Sequence, residues 1–429
     1  PDSGGNTALP NLCGNIFINC QLPLGKRLSH LGWPYGFEIT SLAMVLFPLG
    51  TCSGSLPEAH TRFKDRMPAR GKKLQCSGIW TGLLKRMGGN QVEMRRRFVA
   101  ACVVSFVLLE SVHALHVPAS FVLAQEAALR SEFSRAESLA VVLKRESPAD
   151  PTGDYAMAAI EQMRLFGCEG TMSPAELKRR VQIAVRASRE QVARTPEEIW
   201  PRYVFGLSLG LSAVVAADEG SYWHAYRAGT ESVEQLEEVL RREPGFSDAL
   251  LALGAYHYWR GAAMKNWTWL PFVADTRNQG IREMKRAWNE GATTQHTAPG
   301  MIVWALLKDA NYHEALAVSN QIAARYPANR AFVTARAEAL FGLRRWAEAA
   351  AAYTQAIALY STDQFRCPGS VEARAKRGIA LAEMGKCSEA LPDLRAAVSS
   401  PAHVGYGRDF RPTQDRARAL LERCLEKGS

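Results

Sequence analysis

Apolar residues recur three and four positions apart through most of the chain after residue 117, which is the period of an amphipathic helix. The C-terminal half adds a second regularity, in which an aromatic residue or its substitute is followed three positions later by alanine. The pairs are Tyr312 with Ala315, Trp346 with Ala349, and Cys387 with Ala390. The first two pairs are 34 residues apart (312 to 346). A fixed period of this length predicts repeated helical hairpins that stack on one another.

Helix-end signals agree with an all-helical chain. Ser173-Pro174-Ala175-Glu176 combines a capping hydroxyl, a proline at the first helical position and a glutamate three residues after the cap. Thr195-Pro196-Glu197-Glu198 has the same order and predicts a second helix start at that point. Basic residues followed by proline at 241–244 and 325–327 predict helix ends. No strand pattern is found after residue 115.

Glycines also fit the repeat pattern. Gly206, Gly254 and Gly378 fall where two helices of a hairpin must approach closely. In the repeat that contains Trp346, Ala337 occupies the position where a close-approach glycine is expected. In the preceding repeat, Gly300 lies close to the expected start of the helix.

Together these features resemble the tetratricopeptide-repeat (TPR) superfamily over most of 117–400, most strongly in 296–400. The resemblance implies an all-α fold, a TPR-like helical-hairpin solenoid wound as a right-handed superhelix of about six or seven hairpins. Degenerate repeats with an aromatic insert at 259–277 are expected over 115–295. Regular repeats and a C-terminal capping helix, about Thr413 to Glu426, are expected over 296–429.

The segment from Met94 to Ala114 has the layout of a secretory signal peptide. Three arginines follow Met94, a twelve-residue apolar stretch runs from Phe98 to Leu109, and small residues occupy positions 112 and 114. Because signal peptides act at the N-terminus, Met94 is the expected start and export to the periplasm or cell envelope is the expected fate.

Residues 1–93 are rich in Gly, Pro and Cys and have no sustained period. We interpret them as a leader that is either non-native or disordered. A real N-terminal domain followed by a buried helix at 98–112 is one alternative. A lipoprotein modified at Cys102 is another, although few apolar residues would then separate Arg97 from that cysteine.

The net charge of +10 is concentrated at the N-terminal end, since residues 115–429 hold 39 basic and 36 acidic side chains. Evenly mixed charge on helices is typical of solvated surface, so no nucleic-acid partner is expected. None of the nine cysteines forms a CxxC pair, which disfavours a zinc knuckle. The sequence leaves open a Cys367–Cys387 disulfide in an oxidising compartment.

The most unusual stretch is 256–280, which is rich in aromatic residues and interrupts the repeat. Its candidate partner-binding residues are Trp267, Trp269 and Phe272. A loop that fills the groove, an aromatic binding platform and a membrane-dipping loop are three interpretations. The stretch also resembles a group of exported bacterial repeat proteins of unassigned role, over about 117–345, which implies an envelope location and no enzymatic activity.

Analogy with the superfamily indicates which inner-helix residues would line a concave groove. They are Trp304, Lys308, Thr334, Glu338 and Glu372. The alternative for these five is ordinary solvated surface. The Lys/Asn set with which chaperone-binding members hold a C-terminal carboxylate is not matched, because Glu and Thr stand at comparable places.

Catalytic motifs are missing from the sequence. It contains no GxxxxGK[ST], no HExxH and no GxSxG in a strand–turn–helix context. His224 and His257 lie on apolar helical stretches and are expected in the core or groove. No catalytic residue, cofactor or metal is therefore predicted.

The function expected is a non-enzymatic scaffold or adaptor that binds a protein or peptide partner in the bacterial cell envelope. One alternative is a solute-binding TPR protein associated with a transporter, with a pocket lined by Trp267, Trp269 and His257. A purely structural assembly component is a third possibility.

Overall fold

The structure is a computed structural model that describes residues 117–166, 173–267, 274–360, 368–400, 403–404 and 408–426. These residues form 15 α-helices, one short 3-10 helix and a pair of two-residue strands. The predicted leader at 1–93 and the predicted signal peptide Met94–Ala114 lie outside the described residues.

The first eight helices are α1 Ala119–Leu129, α2 Phe133–Glu146, α3 Thr152–Phe166, α4 Pro174–Arg194, α5 Ile199–Asp218, α6 Tyr222–Arg242, α7 Ala249–Met264 and α8 Arg277–Glu290, with the 3-10 helix Lys265–Trp267 after α7. The remaining elements are α9 Ala298–Lys308, α10 Tyr312–Arg325, α11 Arg330–Gly342, α12 Trp346–Ala358, α13 Pro368–Glu383, α14 Cys387–Val398, β1 His403–Val404, β2 Arg408–Asp409 and α15 Arg411–Glu426.

The helices pack in chain order. Each one contacts the next along the described series, so α1 to α14 form seven successive pairs, or hairpins. The first helix of each hairpin also contacts the first helix of the following hairpin, and α13 contacts α15 in the same way. This arrangement confirms an all-α helical repeat array.

Five hairpins share one connection, a three-residue turn whose middle residue has φ between 57 and 77°. These middle residues are Ser131, Gly220, Ala310, Arg344 and Gly385. The following helix begins two positions later, and the alanine three residues into it is fully buried. Those alanines are Ala136, Ala225, Ala315, Ala349 and Ala390. A pair of an aromatic residue, or Cys387, with alanine therefore marks the start of five of the seven second helices. Two of these pairs, Phe133–Ala136 and Tyr222–Ala225, are not among the three pairs used above to predict the repeat.

Helices α7 and α8 approach each other closely at two glycines. A Cβ on Gly254 would lie 2.7 Å from the carbonyl oxygen of Gly280, and a Cβ on Gly280 would lie 2.3 Å from that of Gly254. Only glycine at both positions lets the two backbones pack this closely. The expectation for Gly254 is confirmed.

Of the two helix starts expected from capping signals, one is confirmed. The Ser173 hydroxyl accepts the backbone N–H of Glu176 at 3.3 Å, with Pro174 opening α4. The expected start at Thr195-Pro196 is wrong, because these residues end α4 and form the turn before Ile199. The carbonyl of Pro196 instead accepts hydrogen bonds from Arg202 and Arg242, which fix the turn.

Helix α5 is the most apolar of the long helices. Among the residues described, it is the single helix long and apolar enough to cross a membrane. Here it is a core helix, because 61% of its apolar window is buried between neighbouring helices. The Ser232 hydroxyl of α6 donates to the carbonyl of Gly206 at 2.7 Å, so even its backbone is covered.

The C-terminal helix α15 packs on both helices of the last hairpin, α13 and α14. A disulfide joins Cys387, at the start of α14, to Cys424, which is 2% exposed near the end of α15. The pairing of Cys387 with Cys367 is therefore wrong, because Cys387 is bonded elsewhere; Cys367 lies outside the described residues. A two-residue antiparallel pair, β1 with β2, precedes α15 and was not expected from the sequence.

Candidate functional site

The five inner-helix candidates all lie on first helices of the hairpins. Trp304 and Lys308 are one turn apart on α9, Thr334 and Glu338 are one turn apart on α11, and Glu372 is on α13. Because successive first helices contact one another, these residues lie along neighbouring helices of one series.

The structure joins two of these candidates through Lys376, which is not among the residues predicted from the sequence. Lys376 Nζ donates to Glu338 Oε2 at 2.7 Å and lies 2.9 Å from Glu372 Oε1. The Tyr353 hydroxyl donates to Glu338 Oε1 at 2.8 Å. We call Glu338, Tyr353, Glu372 and Lys376 the inner acidic cluster, since its two carboxylates outnumber its one cation.

Burial makes the electrostatics of this cluster strong. The side chains of Glu338, Glu372 and Lys376 are only 14%, 18% and 15% exposed. Burial alone would lower the pKa of Lys376, but the charges and hydrogen bonds of both carboxylates outweigh it and raise that pKa. Lys376 therefore remains protonated, and the cluster keeps one unit of negative charge when both glutamates are ionised.

Thr334 adds an unsatisfied group beside the cluster. It lies one turn before Glu338 and is 5% exposed, and its hydroxyl has no hydrogen-bond partner among the described residues. A buried hydroxyl without a partner costs roughly 1–3 kcal/mol. The hydroxyl oxygen itself is buried, so this cost is internal to the array.

Trp304 has a partly structural role. Its side chain is partly buried and packs against the main apolar cluster of the array, around Ile302 and Leu306. Lys308 closes the same helix. Thr334 is therefore buried rather than solvated surface, whereas Trp304 is partly exposed.

The aromatic insert is only partly described. Trp269 and Phe272 lie outside the described residues, as does the side chain of Trp267, whose backbone ends the 3-10 helix. Helix α7 continues past Trp259 to Met264, so residues 265–276 connect α7 to α8. The alternative solute pocket depends on two of these tryptophan side chains.

The base of the insert is fixed by ionic contacts. Arg277 donates to Asp275 at 2.6 Å and to Asp309 at 2.6 Å, and hydrogen bonding to Asp275 is the main cause that raises its pKa. His257 Nδ1 lies 2.6 Å from Glu283 Oε2, partly buried between α7 and α8. His224, which was expected in the core or groove, is instead exposed at the start of α6, beside Ser221.

The spacing between Glu372 and Lys376 could have identified Lys376 from the sequence. Glu372 and Lys376 are four positions apart with the acid first, the spacing that favours an ion pair on one helix face. The ion pair between Lys376 and Glu338 could not be predicted in this way, because Glu338 is on a different helix.

Within the described residues, no three His, Cys, Asp or Glu side chains converge as a metal site would require. No protein-family model matches the chain, and no curated protein matches it. The fold defines the class of the protein, which is an all-α protein of consecutively packed helical hairpins. Its candidate site is the inner acidic cluster.

Proposed function

We propose that the chain is a TPR-like solenoid, wound as a right-handed superhelix, that serves as a non-enzymatic scaffold in the cell envelope. In this proposal it binds a protein or peptide segment along the first helices of its C-terminal hairpins. Support comes from the shared turn with positive φ, the buried alanine that follows it, and the contacts between successive first helices.

The inner acidic cluster is the observation that carries the binding proposal. Partly buried carboxylates act in a lower effective dielectric than surface ones, so a cation that reaches them is held more strongly. The side chains of Glu338 and Glu372 keep 14% and 18% of their surface exposed, so a ligand can reach them. A segment with a basic side chain fits this cluster.

The disulfide supports an exported location. Disulfides persist in oxidising compartments such as the periplasm and are rare in the cytosol. The Cys387–Cys424 bond encloses a 37-residue separation and fixes α15 to the last hairpin. The signal-peptide layout of Met94–Ala114 points the same way.

Crosslinking in cells tests this function. The full chain would carry a photoreactive residue at Lys308, a predicted groove residue on the first helix α9 that is outside the inner acidic cluster, and a matched chain would carry it at Gln355, which is exposed on the second helix α12. We expect one protein to be captured at Lys308 and not at Gln355. Equal capture at both positions, or none at Lys308, would contradict the proposal.

A purified pair then measures the role of the cluster. We expect Glu338→Gln and Glu372→Gln each to weaken binding of the captured partner at least tenfold, which corresponds to about 1.4 kcal/mol of binding free energy. Glu348→Gln is the control, since Glu348 is also ion-paired but 54% exposed on α12. Titration calorimetry that gave the same affinity for all three variants would exclude the cluster as the site.

A further inference from the structure

A cleft opens on another part of the array, between α2, α3 and α4. It has a volume of about 420 Å³, within the range typical of small-molecule sites. Its floor is apolar and its rim is rich in cations. The floor consists of Ala140, Val141, Met157 and Ile183, and the charged rim consists of Lys144, Arg145, Asp154, Arg179 and Arg180.

The rim carries more positive charge than its own acids neutralise. Lys144 pairs with Asp154. Arg179 and Arg180 both bind one carboxylate, Glu176, at 2.7 and 3.1 Å, so two guanidinium groups share a single negative charge.

Arg145 has no ion-pair partner in the described part of the chain and is exposed. With Glu176 included, the rim therefore has an excess of two positive charges. Two further acids lie nearby and do not change this balance. Glu137 pairs with Arg164 at 3.1 Å. Glu161 is fully buried on α3, where burial raises its pKa and so favours its uncharged form.

The apolar side chains of the floor remain partly exposed to solvent. Val141 is 37% exposed at the cleft, and Met157 and Ile183 are only partly buried. Covering such surface is favourable by roughly 25 cal/mol per Å² of apolar area, whatever covers it. The ligand that satisfies both parts has an anionic head and an apolar body.

We propose that this cleft binds a single-chain anionic amphiphile, with its head between Arg145 and Arg180 and its apolar chain over Val141, Met157 and Ile183. Guanidinium groups suit an oxyanion head, because they donate two parallel hydrogen bonds to carboxylate or phosphate. A polar acidic peptide would leave the floor uncovered, and a neutral lipid would leave the rim unpaired. Charge and apolar contact together thus select this class.

Titration of the full chain with monomeric dodecanoate, below its micelle concentration, tests the proposal. We expect saturable one-to-one binding that weakens as salt is added. Dodecyltrimethylammonium, which has the same chain and the opposite charge, should bind at least tenfold more weakly. Dodecyl phosphate, titrated in parallel, shows whether the head that the rim prefers is a carboxylate or a phosphate.

Two variants locate the site. Arg145→Glu should weaken dodecanoate binding at least tenfold, because it reverses a charge on the rim. Val141→Asp should weaken it at least tenfold as well, because it places a charge in the apolar floor. Arg227→Glu is the matched control, because Arg227 is an exposed arginine on α6 with no ion-pair partner among the described residues. Circular dichroism melting curves would confirm that all three variants fold like the parent.

Four results would overturn the proposal. They are equal affinity for the anionic and cationic amphiphiles, unchanged affinity in both Arg145→Glu and Val141→Asp, hexaglutamate binding as tightly as dodecanoate, and binding to anionic phospholipid vesicles without binding of the monomer. The third would show that charge alone is recognised, and the fourth would assign the surface to a membrane.

Discussion

The hydroxyl of Tyr326 donates a 2.7 Å hydrogen bond to the carboxylate of Glu126, which joins residues 200 positions apart. The amide of Asn329 donates to the carbonyl of Leu129 nearby, at 3.0 Å. Leu129 itself is buried in the main apolar cluster. The first helix α1 is thus fixed to the turn between α10 and α11, a contact beyond the nearest-neighbour packing on which repeat arrays usually depend.

Replacing Tyr326 with phenylalanine should destabilise the protein by about 1–2 kcal/mol at pH 7, because a buried hydrogen bond to a charged group is lost. Burial alone would raise the pKa of Glu126, but hydrogen bonds from Tyr326 and Arg130 outweigh it and lower that pKa. A carboxyl with a lowered pKa stabilises the fold above its usual value of 4.5 and loses that effect as pH falls. The effect of the variant should therefore shrink at low pH.

Urea denaturation at pH 7 and pH 4 would measure this. Tyr312→Phe is a suitable control, because no hydrogen bond from its hydroxyl is found among the described residues. A loss that stayed the same at both pH values would mean that the Glu126 carboxylate is not the acceptor that matters.

Asp218 predicts a second pH dependence, of the opposite sign. Burial at the end of α5 raises its pKa to about 7. Between about pH 4 and 7 the folded protein keeps a proton that the unfolded chain has released, so the free energy of unfolding falls as pH rises. Asp218→Asn removes this term and should stabilise the protein by on the order of 3 kcal/mol at pH 8, and by much less at pH 4.5.

The difference in unfolding free energy between Asp218→Asn and the parent, followed from pH 4.5 to 8, is the readout. Asp415→Asn serves as the comparison, since Asp415 is 69% exposed on α15. A difference for Asp218→Asn that did not grow with pH would disprove the burial argument.

Gly280→Ala should cost about 3 kcal/mol or more, because its added methyl group would overlap backbone atoms of α7 at 2.3 and 2.5 Å. Gly245→Ala provides the control, since its nearest neighbour would be a flexible side chain at 3.6 Å. Thermal and urea unfolding of the two variants should separate clearly. Similar stabilities would imply that α7 and α8 can move apart at little cost.

The shared turn predicts two substitutions with opposite effects. Arg344 has φ 57°, a region that costs a residue with a Cβ about 1–2 kcal/mol, so Arg344→Gly should stabilise the protein by up to about 1 kcal/mol. Gly385→Ala, at the equivalent place with φ 77° and open space around it, should destabilise it by about 1 kcal/mol. Denaturant midpoints that shifted in the same direction for both would refute this account.

Loss of the disulfide should lower the free energy of unfolding. Cys424→Ser removes a link across a 37-residue separation, and we expect a loss of about 3–4 kcal/mol. Limited proteolysis should then cut before α15 first. A variant as stable and as resistant to protease as the oxidised parent would show that packing alone holds this helix.

The amino-acid sequence by itself determined the local structure. The helical period, the buried alanine three residues after each aromatic and the close-approach glycines follow from contacts within one hairpin, which lie only tens of residues apart. The sequence also predicted that the five candidate groove residues would lie on the first helices of the hairpins, as they do. The start at Thr195 was wrong because two arginines, one from α5 and one from α6, complete that turn instead.

Only the tertiary structure decided which side chains meet across separate helices. The pairing of Cys387 with Cys424, the bond of Tyr326 to Glu126, and the convergence of Glu338 and Glu372 on Lys376 each join different elements. A short-range pattern specifies which face of a helix is buried, whereas the partner on that face depends on how the helices stack. That stacking is set by the apolar packing of the whole array.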